Sequence, residues 1–196
     1  MKKFYFILGI IILVWIIILG VLTWQKNSED KSISQAKIQA NNYLNYKFDS
    51  AEFNKLKRSD KNDIYYYAAD GKRYIFPAPE IYKSWFEKIQ ISDIQEYDLN
   101  KFYETPLGGN VTFRPGSLIT TPSLYDVYSV IKNGQIKKIN QNLLSTLYGE
   151  KWKDKTYSIP EFYFSQYQII EKPINTYSDF PNIPAQININ QDKGLK

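Results

Sequence analysis

Residues 64 to 76 read IYYYAADGKRYIF, and residues 125 to 139 read YDVYSVIKNGQIKKI. In each, two short β-type runs flank a dipeptide, Asp70-Gly71 in the first and Asn133-Gly134 in the second. Such dipeptides supply the positive φ values of a tight hairpin turn, so both stretches are read as β-hairpins with Gly71 and Gly134 as turn residues. A helical stretch follows each. The first, EIYKSWFEKI over 80–89, opens after Pro79, whose missing N–H costs nothing at a helix start, and it sets Ile81, Trp85 and Ile89 on one buried face. The second, QNLLSTLYG over 141–149, has Asn140 as an N-cap and Gly149 as a stop.

A third element closes each unit: QEYDLNKFYETPLGG over 95–109 and KTYSIPEFYFSQY over 155–167. Their aromatic residues align Tyr97 with Tyr157, Leu99 with Ile159, and Phe102-Tyr103 with Phe162-Tyr163. The expected fold is α+β. It has two similar hairpin-plus-helix units, 64–109 and 125–168 within a domain spanning 63–170, stacked because neither buries its apolar face alone. Between them, PLGGNVTFRPGSLITTPS (106–123) reads as a connection, with Gly108, Gly109, Pro115 and Gly116 as turn residues and short strands at 111–113 and 117–120.

Outside the units the composition changes. Residues 4 to 24, FYFILGIIILVWIIILGVLTW, form an uncharged run of 21. As a helix that is about 31 Å, enough for the roughly 30 Å hydrocarbon layer. The run is longer than the apolar core of a cleaved signal peptide, and no small-residue cleavage site follows it. It reads as a single-pass signal anchor, behind a cytoplasmic tail of residues 1–3. Lys2 and Lys3 on the short side favour a cytoplasmic N-terminus and an extracytoplasmic C-terminal part. Residues 25–62 read as a juxtamembrane spacer with a short amphipathic helix at 33–48. Residues 171–196, rich in Pro, Asn and Gln, read as a flexible tail.

Composition removes several chemistries. Cysteine and histidine are absent, which excludes disulfides, thiolate nucleophiles, the commonest general base and the commonest metal ligands. A net charge of +5 is too weak for a nucleic-acid footprint. Glu80 and Glu87 share a helix face, but one expected to be wet, and nothing sets a second carboxylate across a groove from them. No cofactor, metal site or catalytic residue is expected. The candidate binding residues are aromatic. In a strand, Tyr65 and Tyr67 point to the face opposite Tyr66, so one side of the Tyr65-Tyr66-Tyr67 run is displayed or covered by a neighbour. Trp152, among Glu150, Lys151, Lys153 and Asp154, is either a plug over Leu144 and Leu147 or an exposed contact.

The motifs GKRYIFPAPEIYKSWF, TPLGGNVTFRPG (105–116), TTPSLYDVY (120–128), LYGEKW (147–152) and YSIPEFYFSQY (157–167) together resemble a group of uncharacterised secreted or surface-attached proteins of candidate-phyla (Patescibacteria-like) bacteria. The resemblance covers 64–168 and implies a surface location. The chain departs from the group's pattern at Gly134–Ile139, where an aromatic residue gives way to Lys138, and at Thr156–Tyr163, where a pair of acids is missing. The reading that follows is a non-catalytic, membrane-anchored surface module. Its expected partners are the lipid bilayer and either an envelope polymer or a membrane protein. The alternatives are an accessory subunit of a membrane complex and, more distantly, a hydrolase acting on envelope material.

Overall fold

The computed structural model describes residues 2–45, 55–86, 94–182 and 187–195, with side chains of the first segment described over 12–41. Within them lie two five-stranded sheets of one topology. The first contains β1 (Lys55–Arg58), β2 (Ile64–Tyr67), β3 (Arg73–Ile75), β4 (Ile94–Tyr97) and β5 (Leu107–Asn110), in the order β4-β1-β2-β3-β5. The second contains β6 (Leu118–Thr120), β7 (Val127–Val130), β8 (Gln135–Ile139), β9 (Thr156–Ser158) and β10 (Gln168–Ile174), in the order β9-β6-β7-β8-β10. In both, the three central strands are antiparallel and each edge strand runs parallel to its neighbour. Parallel pairing requires crossovers, and helices supply them. They are α2 (Pro79–Trp85) and α3 (Leu99–Glu104) in the first unit, and α4 (Gln141–Tyr148) and α5 (Glu161–Phe164) in the second.

The strand order repeats, but the unit limits differ from the expected ones. Each unit begins one strand earlier. β1 lies inside the expected spacer, and β5 and β6 both lie inside the expected connection, which shrinks to 111–117. That linker has no strand at 111–113, yet Val111 and Phe113 are buried in the central core. β1 escaped notice because it reads KLKR. Its Lys55 is buried with its ammonium 5.2 Å from the Phe86 ring centre, and Arg58 lies over Phe102 and Tyr103. Long cationic side chains can bury their stems while presenting the head to a ring.

The internal alignment also moves by two residues in the third element. Leu56 pairs Tyr65 and Gln95, whereas Ile119 pairs Tyr128 and Tyr157. Tyr97, two residues beyond Gln95, therefore answers Ile159 rather than Tyr157, and Phe102 answers Phe164. The packing repeats in the same way. Tyr65 and Phe102 meet edge-to-face at 5.1 Å, and Tyr128 and Phe164 meet edge-to-face at 5.2 Å. Aromatic identity alone favoured the wrong pairing because Phe-Tyr occurs in both helices at different depths.

The units stack head to tail. α2 of the first and α5 of the second share the layer between the sheets, where Tyr66, Phe76, Ile81, Trp85 and Phe113 meet Ile119, Tyr128, Val130 and Ile136. Trp85 is fully buried and its indole N–H donates to the Thr112 carbonyl at 2.8 Å, which fixes the linker. Ile89 and Glu87 lie outside the described residues. On the far side of the second sheet, α4 packs with Leu118, Val127 and Ile139, and α1 covers α4 through Ala36 and Ala40.

α1 is one continuous helix, Lys2–Asn45, so there is no separate helix at 33–48 and no irregular spacer before it. Nothing after Gly20 breaks it, because the stretch to Asn45 holds neither Gly nor Pro. Residues 46–54 lie outside the described residues. Among the described residues no helix is long and apolar enough to cross a membrane; in α1 the described side chains take in only 12–24 of the uncharged run. Their large apolar side chains lie exposed. Ile12 is 52 % exposed, Ile16 63 % and Trp24 71 %.

The C-terminal segment is the clearest correction. Residues expected to form a flexible tail are built into the domain. Ile174, Phe180, Ile187 and Ile189 are buried, and α6 (Ile189–Lys193) is closed by a capping box at Asn188 and Gln191. α6 ties the two hairpin turns together. Asn190 Oδ1 accepts from the Ala69 N–H at 3.0 Å, and Asp192 Oδ1 accepts from the Asn133 N–H at 2.7 Å. Isolated apolar residues among Asn and Gln gave no periodic signal.

Candidate functional site

The three tyrosines divide as a strand requires. Tyr66 enters the central core, and burial raises its phenol to about 12. Tyr65 and Tyr67 lie on the opposite face, half-buried beneath α3 with Leu56, Tyr97 and Phe102. They do not form a displayed binding surface. What covers them is a helix of their own unit rather than the neighbouring unit.

This face is built from stacked cations and rings. Arg73 lies 4.1 Å from the Phe102 ring centre and 5.8 Å from that of Tyr65, and donates to the Phe102 carbonyl at 2.8 Å. It thereby satisfies a carbonyl in the last turns of α3, where the helix dipole favours positive charge. Arg58 donates to the Tyr103 hydroxyl at 2.8 Å and pairs with Asp60. Lys101 lies 4.2 Å over Tyr97. The hydrogen bond from Arg58 holds the exposed Asp60 carboxyl below its ordinary value. These groups are largely occupied with one another, so the face reads as a cap on the stack.

Trp152 is half-buried at the start of a 3₁₀ turn, Trp152–Lys155, and packs against the α4 core of Leu143, Leu144, Leu147 and Tyr148. The Lys153 ammonium lies 5.6 Å from its ring centre. It covers the second unit's outer core and leaves one edge in solvent.

Gly71, Gly116, Gly134 and Gly149 take positive φ as expected, whereas Gly108 and Gly109 lie within β5 rather than in a turn, and Gly108 carries a further demand. β5 is bulged against β3, since Arg73 pairs Leu107 while Tyr74 pairs Gly109. The ring of Tyr74 then lies directly over Gly108, and a Cβ there would overlap the ring. The Tyr74 hydroxyl donates to Asp70 at 2.8 Å, and Lys193 lies 4.3 Å over the ring while donating to the Asn110 carbonyl. The double-glycine motif therefore serves the closure of the first hairpin by α6.

Exposed aromatic residues lie outside the expected binding candidates, and Tyr103 on the α3 face is 63 % exposed. Tyr125 is 95 % exposed and Phe162 61 %. Their segments are held together by the Ser123 N–H, which donates to Glu161 at 3.3 Å.

A cleft of about 300 Å³ opens between α1 and residues 177–182. Gln35, Gln39, Tyr177, Ser178 and Asn182 line it, with Ala36 and Phe180 also contributing to its wall. Among the described residues no charged residue lines it. Gln39 donates to Asn182 across it at 3.1 Å. The segment is fixed by a capping box at Thr176 and Asp179, with Lys172 paired to Asp179 at 3.0 Å. The Thr176 and Lys172 hydrogen bonds hold the Asp179 carboxyl down to about 2.

Among the described residues no three acidic, histidine or cysteine side chains group as a metal site. Glu80 lies at the start of α2 and is exposed, as expected. No protein-family model, curated protein or solved structure matches the chain.

Proposed function

We propose that the chain is a non-catalytic, single-pass membrane-anchored surface module, with its two-unit domain outside the cytoplasm. The observation that carries this reading is the contrast along α1. Residues 12–24 are bare apolar surface, whereas Ala36 and Ala40, on the same helix, are buried against the domain. A contiguous apolar helix in water is strongly unfavourable and is relieved by lipid, and the uncharged run extends back to Phe4. From Trp24 to Ala36 is 12 residues, or about 18 Å of helix. On this reading the domain stands off the bilayer on a rigid stem, and the stem also caps the second unit.

The resemblance to secreted or surface-attached bacterial proteins supports the location. The module would hold an envelope polymer or a partner protein near the membrane. α1 has Gly9 and Gly20 at a spacing that makes no small-residue pairing motif, which favours a lone anchor over the alternative, an accessory subunit of a membrane complex.

The test is extraction of membranes at alkaline pH combined with protease treatment of intact cells. Retention in the pellet, with the domain digested from outside, is expected. Release of the full-length chain by alkaline extraction, or protection of the domain in intact cells, would overturn the reading.

A further inference from the structure

We infer that the cleft between α1 and residues 177–182 is a binding site for a neutral carbohydrate; this deepens, and rests on, the surface-module reading. The chemistry of the lining points there. Gln35, Gln39 and Asn182 offer amides that both donate and accept, and Tyr177 and Ser178 offer hydroxyls. Sugar hydroxyls also donate and accept, so planar amides match them in pairs. Among the described residues, the Gln35 amide and the Tyr177 hydroxyl make no hydrogen bond within the chain. The wall also contains the Tyr177 ring and Phe180, apolar surface suited to the C–H face of a sugar ring.

The described lining residues carry no charge, which argues against an anionic polymer or a phosphate. The walls are preformed, since the capping box at Thr176 and the Lys172–Asp179 pair hold one side and the long helix holds the other. A volume of about 300 Å³ is at the lower end of small-ligand sites. Position adds a source. Gln35 is 11 residues beyond Trp24, or about 17 Å along the helix, close above the lipid headgroups if the anchor is seated as proposed. The sugar can therefore come from a glycolipid headgroup or from a soluble envelope glycan.

The experiment uses the full chain in lipid nanodiscs and saturation-transfer NMR with a panel of neutral disaccharides. Saturable transfer to at least one sugar is expected. Gln35→Ala and Asn182→Ala should each weaken it by about tenfold, the loss of one or two hydrogen bonds. Ser178→Trp, which fills the cleft, should abolish it while leaving the thermal melt unchanged. In a second arm, part of the phosphatidylcholine is replaced by a monoglycosyl diacylglycerol. Suppression of the transfer identifies the lipid headgroup as the source, and persistence identifies a soluble glycan; both support the site. No transfer to any sugar of the panel, transfer unchanged in Ser178→Trp, or equal competition by an uncharged polar peptide would overturn it. Alkaline extraction of the same variants separates the two readings. A chain that stays in the membrane yet binds no sugar defeats only the cleft, whereas a chain released from the membrane defeats the anchor.

Discussion

The two units share a strand order and an edge-to-face Tyr–Phe pair, yet corresponding positions on the same sheet face carry opposite chemistry. Arg73 in the first unit answers Ile136 in the second, and Arg58 answers Thr121. The second unit's face is roofed by α2 of the first, so Ile136 is fully buried in the central core. Among the described residues the first unit's face ends the stack under α3, so its cations lie over rings and bond a helix carbonyl and a tyrosine hydroxyl. At the other end, α1 covers the second unit through two alanines. A short repeat array needs ends that differ from its interior, because an apolar terminal face would recruit another copy. Here one end is closed by charge on aromatic rings and the other by a helix.

Exchanging the two residues tests this most severely. Ile136→Arg places an unpaired cation between the units and should cost about 3–5 kcal/mol or more, enough to unfold the domain in urea melts. Arg73→Ile leaves the Phe102 carbonyl unpaired, should cost about 1–2 kcal/mol, and should increase self-association, read by sedimentation. Equal costs for the two would show that the faces are not terminal and interior.

Removal of residues 187–196 comes next. Ile187 and Ile189 leave the core, and the bonds to Ala69 and Asn133 are lost. A loss of about 3 kcal/mol or more is expected in the same melts. An unchanged midpoint would return this segment to the status of a tail.

Trp152→Ala should cost about 1 kcal/mol, as the ring is half-buried over α4. That lies between the cost of a core plug and that of a surface contact.

The smallest effect is in the pH dependence, where two carboxylates of the C-terminal segment act with opposite sign. Asp179 is held down to about 2 by Thr176 and Lys172, so its contribution is present above about pH 4 and is lost as pH falls through about 2. Burial raises Asp192 above its ordinary value, against the Asn133 N–H and nearby lysines. Its contribution is fully present below about pH 4, its unfolded value, and is lost as pH rises through the raised folded value. Asp192→Asn keeps an oxygen acceptor for Asn133 and should flatten the neutral side of the stability profile. Asp179→Asn should flatten the acid side. Urea melts from pH 2 to 8 check both.

Much of the unit was legible in local patterns. The hairpins at Asp70-Gly71 and Asn133-Gly134, the helix cap at Asn140 and the core role of Trp85 all depend on residues close in sequence, where turn and cap chemistry is specific. β1 was missed because a strand of four residues reading KLKR has too little alternation to register. β6 falls on the strand expected at 117–120, but that strand was placed in the connection and not in the second unit. The candidate Tyr65-Tyr66-Tyr67 surface was half right: the alternation of faces holds, but α3 covers the outer one.

By itself, the sequence determined the uncharged run 4–24, the absence of Cys and His chemistry, the two turn-centred repeats and the glycines they need. Each follows from composition or from neighbours within a few residues. Only the tertiary structure decided where the third elements align, that α1 packs Ala36 and Ala40 on the second unit, that the last residues clamp both hairpins, and that a polar cleft forms between α1 and 177–182. Those features depend on contacts between residues far apart in the chain. Asn190 with Ala69 and Gln39 with Asn182 are such pairs. Isolated polar side chains carry no periodic signal, so their partners are set only when the packed layers bring them together.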